Sequence, residues 1–155
     1  MNLDSKFLYE RWKTARKMFR TTAAAIPPGQ EGFRPAEGTM SLGEIVLHVT
    51  SVEKTAVDAL SATRSAWEWD QGFTLERYPT LDRILAALDE QTEATGAYLS
   101  GLTDADLART VRLPWGAEWS LGQLWLEWMD HEAHHRGSLV TSLRVAGVTP
   151  PNIWE

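Results

Sequence analysis

The stretch Asp130-His131-Glu132-Ala133-His134-His135-Arg136-Gly137 lies at the centre of a segment, 120–147, with the spacing of a long amphipathic helix. Large or apolar side chains recur in this segment at steps of three or four residues, and two histidines fall on the same stripe. The stripe consists of Leu121, Leu124, Trp125, Trp128, His131, His135, Leu139 and Ser142. The pattern predicts a helix whose buried face carries two imidazoles one turn apart.

Two interpretations of this histidine pair are open. Side chains at positions i and i+4 of a helix lie about 5–6 Å apart at Cβ and lean the same way, which suits two ligands of one metal ion. Alternatively, His131 and His135 are core residues, each satisfied by its own hydrogen bond. Because two buried imidazoles on one apolar stripe are costly to satisfy separately, the spacing favours a metal.

Three further segments show helical periodicity, at Leu3 to Ala25, from Ser41 to about 60, and at 80–101. Pro27-Pro28-Gly29 ends the first, and the pairs Ser41/Glu44 and Ser120/Gln123 have the form of capping boxes at two helix starts. The segment 64–79 is predicted to be an aromatic-rich loop with a short helical turn, and 111–116 has strand or hairpin character but is too short to build a sheet. The sequence therefore predicts an all-α protein, a four-helix bundle formed by one domain, 1–155.

His48 borders the buried stripe of the second predicted helix. The start of that helix, 41–47, resembles 120–126, so the two helices are expected to occupy equivalent places and His48 to approach the pair on the last helix. Three neutral imidazoles leave the fourth position of a tetrahedral site open, as in catalytic metal centres. Imidazole ligands suit Zn, Ni, Fe or Cu and do not choose among them. Three acidic residues are candidates to orient an imidazole N–H: Glu53, Asp130 and Glu132. The alternative for each is a solvated charge on the helix surface, and for Asp130 this alternative is favoured.

The residues His131 to His135 also match the H-E-x-x-H pattern of metalloproteases, in which Glu132 is the general base. That alternative needs a third ligand, but the chain after His135 contains no further histidine, and its only later carboxylate side chain is Glu155. No sheet that could bind an extended peptide is predicted. The protease interpretation is therefore the weaker one, and His134, one residue off the stripe, is expected on the flank of the helix.

Composition limits the function further. The formal charge is −6 and no Lys/Arg cluster is evident, which disfavours nucleic-acid binding. Cysteine is absent, so thiolate ligands and cysteine nucleophiles are excluded. No apolar run is long enough for a membrane span and no signal peptide is apparent, so we expect a cytoplasmic protein. The chain has eight tryptophans, several near the start of the histidine helix, which is consistent with a pocket wall or an interface. For Trp125 and Trp128, packing in the core is an equally favoured interpretation.

These motifs resemble those of the DinB/YfiT-like superfamily of metal-dependent four-helix-bundle proteins. The resemblance rests on 41–48, on His131-Glu132-Ala133-His134-His135-Arg136-Gly137, and on the closing segment 143–151. It implies an up-and-down bundle with a long second connection, a tendency to dimerise, and a divalent metal on His48, His131 and His135. The metal would be Zn or Ni, with Fe or Mn as alternatives. Ser138 departs from the pattern, because relatives often carry Gln there.

The resemblance also indicates what the protein does. Some relatives transfer or isomerise groups with low-molecular-weight thiols, so we expect a metal-dependent thiol transferase or hydrolase that acts on a small electrophile. In that case Glu132 would serve as a base or orient a ligand. The alternative is a non-catalytic stress-response or binding protein in which a metal ties two helices together.

Overall fold

The computed structural model describes residues 4–61 and 67–154, and this part of the chain is mostly helical. Its elements in chain order are α1 Ser5–Ala23, α2 Leu42–Ser61, α3 Leu81–Ser100, α4 Asp104–Leu107, β1 Thr110–Arg112, β2 Glu118–Ser120 and α5 Leu121–Val145. The predicted all-α class is confirmed, with four long helices at the predicted places. None of the described helices is long and apolar enough to cross a membrane.

Local capping sets where the helices begin. The Thr80 and Ser120 side chains accept hydrogen bonds from the backbone three residues on, at the starts of α3 and α5. Ser41 and Glu44 exchange reciprocal bonds at the start of α2, as the predicted capping box requires. Asp4 caps α1 by accepting a bond from the amide of residue 7, so this helix starts at Ser5 rather than at the predicted residue 3.

The long helices pack in a closed order. α1 lies against α3 and α5, and α2 lies against the same two helices. Their apolar stripes form two buried clusters, one around Phe19, Leu47 and Leu139, the other around Trp12 and Trp125. The closed order places α2 beside α5, which brings the helix that carries His48 next to the helix that carries the histidine pair.

One of two irregular connections differs in part from expectation. The segment 111–116 does enter a hairpin, but β1 finds a partner in β2, with Val111 opposite Trp119, so a two-stranded antiparallel sheet forms after all. The partner strand ends at Ser120, the residue that also caps α5, where only a helix start was predicted. The described residues of the second connection, 67–79, form turns, and the amide of Tyr78 donates a 2.9 Å bond to the carbonyl of Thr74, which closes the single helical turn that was predicted. The preceding five residues, 62–66, lie outside the described part of the chain.

Candidate metal centre

Three imidazoles meet between α2 and α5. The Nε2 atom of His131 lies 3.1 Å from Nε2 of His48 and 3.0 Å from Nε2 of His135. His135 is buried, and the other two are half-buried. Among the described residues, these three histidines form a group whose possible ligand atoms all lie within 4.8 Å of one another. The structure thus joins the sequence-predicted pair on α5 with His48 on α2.

Hydrogen bonds alone cannot satisfy this arrangement. A ring nitrogen carries either one proton or one lone pair, so Nε2 of His131 cannot form a well-directed hydrogen bond with both of its neighbours. Two nitrogens bound at about 2.0–2.1 Å to one tetrahedral zinc ion lie roughly 3.3 Å apart. The observed separations of 3.0 and 3.1 Å are close to that value. The residues present therefore fit a divalent cation better than a set of paired core histidines.

The three imidazoles are neutral near pH 7. Burial lowers the pKa of His131 to about 4, and the nearby His48 and His134 lower it further. Burial likewise lowers the pKa of His135 to about 4, with contributions from His131, His48 and His134. The pKa of His48 is lowered by burial as well. Because a proton is disfavoured on every ring, the lone pairs remain available to a cation over a wide pH range.

Two cavities flank the imidazole cluster. His48 and His131 stand in the wall of one, of about 610 Å³, which lies between α2, the second connection, the hairpin and α5. His135 and the exposed His134 line the other, of about 590 Å³, together with Ser138. Any ligand position left open by three imidazoles would therefore be reached from a cavity rather than closed by packed core.

The acidic candidates lie elsewhere. Glu132 and Glu53 are buried, and each accepts a charged hydrogen bond from Arg16, at 2.7 Å and 2.6 Å between the nearest atoms. Among the described residues, none of the three carboxylates is hydrogen-bonded to an imidazole of the cluster. Asp130 is exposed and lines a separate surface groove beside Trp154. No direct contact supports these carboxylates as partners of the imidazole N–H groups.

The ionic cluster around Arg16 was missed by the sequence reasoning. Arg16 is only 2% exposed, and it also donates to the Thr92 hydroxyl, while Trp12 donates its indole N–H to Glu53 at 2.8 Å. The two carboxylates raise the pKa of Arg16 although burial by itself lowers it. A signal did exist, since Arg16 follows Trp12 by four residues and precedes Phe19 by three, which places it on the buried stripe of α1.

Burial raises the pKa of Glu132, Arg16 opposes this, and the neighbouring Glu53 adds to it. The second oxygen of Glu132, Oε1, has no hydrogen-bond partner among the described residues. Its first oxygen accepts two bonds from Arg16. Glu132 is thus turned into the core, although it directly follows His131 in the chain.

A mostly helical fold with three imidazoles converging between two helices defines a class of helical, candidate metal-binding proteins. The DinB superfamily model matches residues 11–139, and the chain belongs to this superfamily. A DinB-like protein of Bacillus cereus is similar in structure, with a TM-score of 0.80 and 18% identity over 99% of this chain and 100% of that one. A DinB-like protein of Bacillus subtilis has a TM-score of 0.71 and 22% identity, over 94% of this chain and 96% of that one. No curated protein matches the chain significantly.

Proposed function

We propose that this protein is a divalent-metal-dependent enzyme in which His48, His131 and His135 hold the metal. The observation that carries the proposal is the convergence of three neutral Nε2 atoms at the edge of a cavity. Imidazole is a common ligand for zinc and nickel, the two metals we favour, and iron or manganese would be alternatives. The ligand set does not choose among these metals.

Three protein ligands leave room for one more group at the metal. A divalent ion there would supply Lewis acidity, so that water or a thiol becomes a nucleophile towards a small electrophile near neutral pH. The chain itself contributes neutral imidazoles, a cavity that admits the substrate, and apolar walls that limit water. The activity we favour is a transferase that uses a low-molecular-weight thiol, with hydrolysis as the alternative.

In this proposal Glu132 is a positioning residue rather than the base. Its contacts with Arg16 tie α5 to α1 one residue from His131, and through Glu53 the same guanidinium ties in α2. The cluster thereby fixes the relative position of the two helices that supply the ligands. The inward orientation of Glu132 also weighs against the H-E-x-x-H protease interpretation, which needs this carboxylate beside the metal-bound water.

Several broader expectations belong to the same proposal. We infer an up-and-down four-helix arrangement with a long second connection, one domain over 1–155, a homodimer, and a cytoplasmic location. Neither nucleic acid nor membrane is expected as a partner. The closed packing order of α1, α3, α2 and α5 supports the bundle.

A second function is favoured by one observation. The imidazoles come from two helices, so a bound ion would cross-link α2 to α5 and could serve stability alone. Such a protein would bind metal without turnover. Enzyme and cross-link therefore predict the same metal content and differ only in catalysis.

The test is elemental analysis of protein without a metal-affinity tag, for wild type, His48→Ala and His134→Ala. We expect about one metal ion per chain in wild type, a near-complete loss in His48→Ala, and no change in the matched His134→Ala control. Wild type that stays metal-free after reconstitution with zinc or nickel would contradict the site. Metal-dependent turnover of a thiol with an electrophile such as 1-chloro-2,4-dinitrobenzene would then separate the enzyme from the cross-link.

A further inference from the structure

The cavity beside His48 and His131 has an unusual lining. Four tryptophans from three separate parts of the chain stand around it: Trp69, Trp115, Trp119 and Trp128. Trp115 is 61% exposed and Trp69 48% exposed, so much of this indole surface faces open space. Trp115 and Trp119 are held at 6.0 Å between ring centroids by the hairpin, and Trp128 packs on Trp125 in α5. Aromatic faces are therefore presented to whatever enters.

The charges of the lining are of one sign. Glu44, Asp70 and Glu127 line the cavity, and none of its described lining residues is Lys or Arg. Glu44 is paired with Arg34. Asp70 and Glu127 form no ion pair among the described residues. Glu127 is exposed, while Asp70 accepts a 2.8 Å hydrogen bond from the Gly72 amide and has the Arg77 guanidinium close by.

These two carboxylates reach the cavity from different parts of the chain. Glu127 precedes His131 by one turn of α5, so their side chains share a face. Asp70 is fixed by its backbone, whose carbonyl accepts a 2.9 Å bond from the Ser51 hydroxyl, three residues after His48 in α2. Glu127 on α5 and Asp70, which is hydrogen-bonded to α2 through Ser51, thus line the same cavity.

We infer that this cavity binds an organic cation with an apolar body, an alkyl- or arylammonium, as the substrate or as the portion of the substrate that lies against the indoles. Indole faces attract ammonium groups, and a nearby carboxylate adds to that attraction. The same lining repels an anionic thiol such as glutathione, which carries two carboxylates. The inference rests on the proposed function, because it assigns the substrate class of that site.

A rival role for the carboxylates is to balance the charge of a bound divalent ion. Three neutral imidazoles do not neutralise such an ion, so the nearby carboxylates would balance the charge of the metal instead of attracting an ammonium substrate. In that case an ammonium would compete with the metal, and it would bind only after the metal is removed. A second rival is a further copy of this chain that covers the exposed indoles. In that case no small molecule would enter.

The test compares three probes that share an aryl body and differ in charge: 2-phenylethyltrimethylammonium, 2-phenylethanol and 2-phenylethanesulfonate. None of them carries an amine or thiol that could bind the metal strongly. Calorimetric titration of zinc-loaded wild-type protein should give binding about tenfold tighter for the ammonium than for the alcohol, with the sulfonate weakest. Metal content is measured on the same samples.

Variants assign the selectivity to residues. Glu127→Gln with Asp70→Asn should lower ammonium affinity about tenfold and leave the alcohol unchanged, because charge is removed while shape is kept. Glu90→Gln with Glu93→Gln, which removes two exposed carboxylates from α3, is the matched charge control. Trp115→Ala should weaken all three probes. Trp154→Ala, which removes a 78% exposed indole outside this cavity, should weaken none.

Three outcomes would overturn the inference. These are a sulfonate that binds as tightly as the ammonium, an ammonium that binds only chelator-treated protein, and wild type that binds no probe and excludes them in a self-associated form. Bound metal without ammonium selectivity would reject this inference and leave the proposed function standing. Ammonium selectivity in a protein that takes up no metal even after reconstitution would reject the proposed function and leave this inference standing.

Discussion

Two clusters one residue apart in α5 solve the problem of buried polar groups in opposite ways. His131 meets His48 at the edge of a cavity, while the next residue, Glu132, meets Arg16 and Glu53 in the core. Both clusters join α5 to α2. In the ionic cluster two carboxylates share one guanidinium, but in the imidazole cluster lone pairs converge without any donor that could satisfy them all.

The difference indicates that the ionic cluster stabilises the fold and that the imidazole cluster is available to bind a ligand. A buried charge that loses its partner costs several kcal/mol, so the ionic cluster must stay intact for α1, α2 and α5 to keep their places. Placing neutral imidazoles at the edge of a cavity costs much less folding free energy than burying an unpaired charge, and their lone pairs remain available to a ligand. The following experiments test this division, starting with the largest effect.

Arg16→Met should lower the free energy of unfolding by about 3–5 kcal/mol, because Glu53 and Glu132 would be left buried without a counterion. Urea denaturation followed by circular dichroism measures this. Arg20→Met is the matched control, one turn further along α1, where the pair with Asp89 is exposed and should contribute less than about 1 kcal/mol. A comparably small loss in Arg16→Met would show that the two buried carboxylates do not depend on the guanidinium.

Zinc should stabilise wild type by about 2.7 kcal/mol when the free ion is at roughly 100 times its Kd, because only the folded state assembles the three ligands. His135→Ala should gain close to nothing under the same conditions. Its metal-free stability is measured as the reference, because truncating the buried His135 side chain also removes packing contacts. Thermal or urea denaturation with and without zinc measures both. An equal gain in His135→Ala would place the zinc elsewhere.

The metal-free protein should become more stable as pH rises from about 4 to about 6.5. The pKa of His131 and that of His135 are lowered to about 4 in the folded state, so between these limits the unfolded chain binds more protons. Because the unfolded chain binds more protons, the free energy of unfolding rises with pH in this range, and this stability is lost as the pH falls from about 6.5 to about 4. Unfolding in the presence of a chelator measures it. The double variant His131→Gln, His135→Gln should flatten this slope, and an unchanged slope would assign it to other groups.

The smallest effect is expected from Asp130→Asn. Asp130 is exposed and lines a groove apart from the two cavities at the imidazoles, so removing its charge should change metal affinity by no more than about twofold. Competition with a chelator of known affinity measures this. A tenfold loss would instead assign Asp130 the role of orienting an imidazole, as for carboxylates that bond metal-ligating histidines.

Much of the fold was predictable because its signals are local. Steps of three and four residues gave four helices, and Ser41, Thr80, Thr103 and Ser120 mark helix starts by bonds within three residues. The sheet was not predicted because β1 is only three residues long and forms a sheet only by pairing with β2. The histidine pair on α5 was likewise visible in one turn of helix.

The rest of the site was less visible. His48 carried little weight alone, and it gained some from a faint similarity between 41–47 and 120–126. The carboxylates were placed beside the imidazoles from their nearness in sequence, but adjacent helical residues face about 100° apart. Glu132 therefore turns to Arg16 while His131 turns to the cavity. Arg16 was passed over because a charged residue on a buried stripe gives no hint of its partners.

The sequence by itself determined the helices, their capped starts, and two imidazoles on one helical face, because each depends on residues within a turn or two. The similarity of 41–47 to 120–126 and the family resemblance predicted that His48 approaches His131, and the tertiary structure shows this contact across 83 residues. Only the tertiary structure decided that Arg16 meets Glu132 across 116 residues. Such contacts depend on which helices pack together and at what rotation. Those choices are set by the summed burial of whole helix faces, which no single motif encodes.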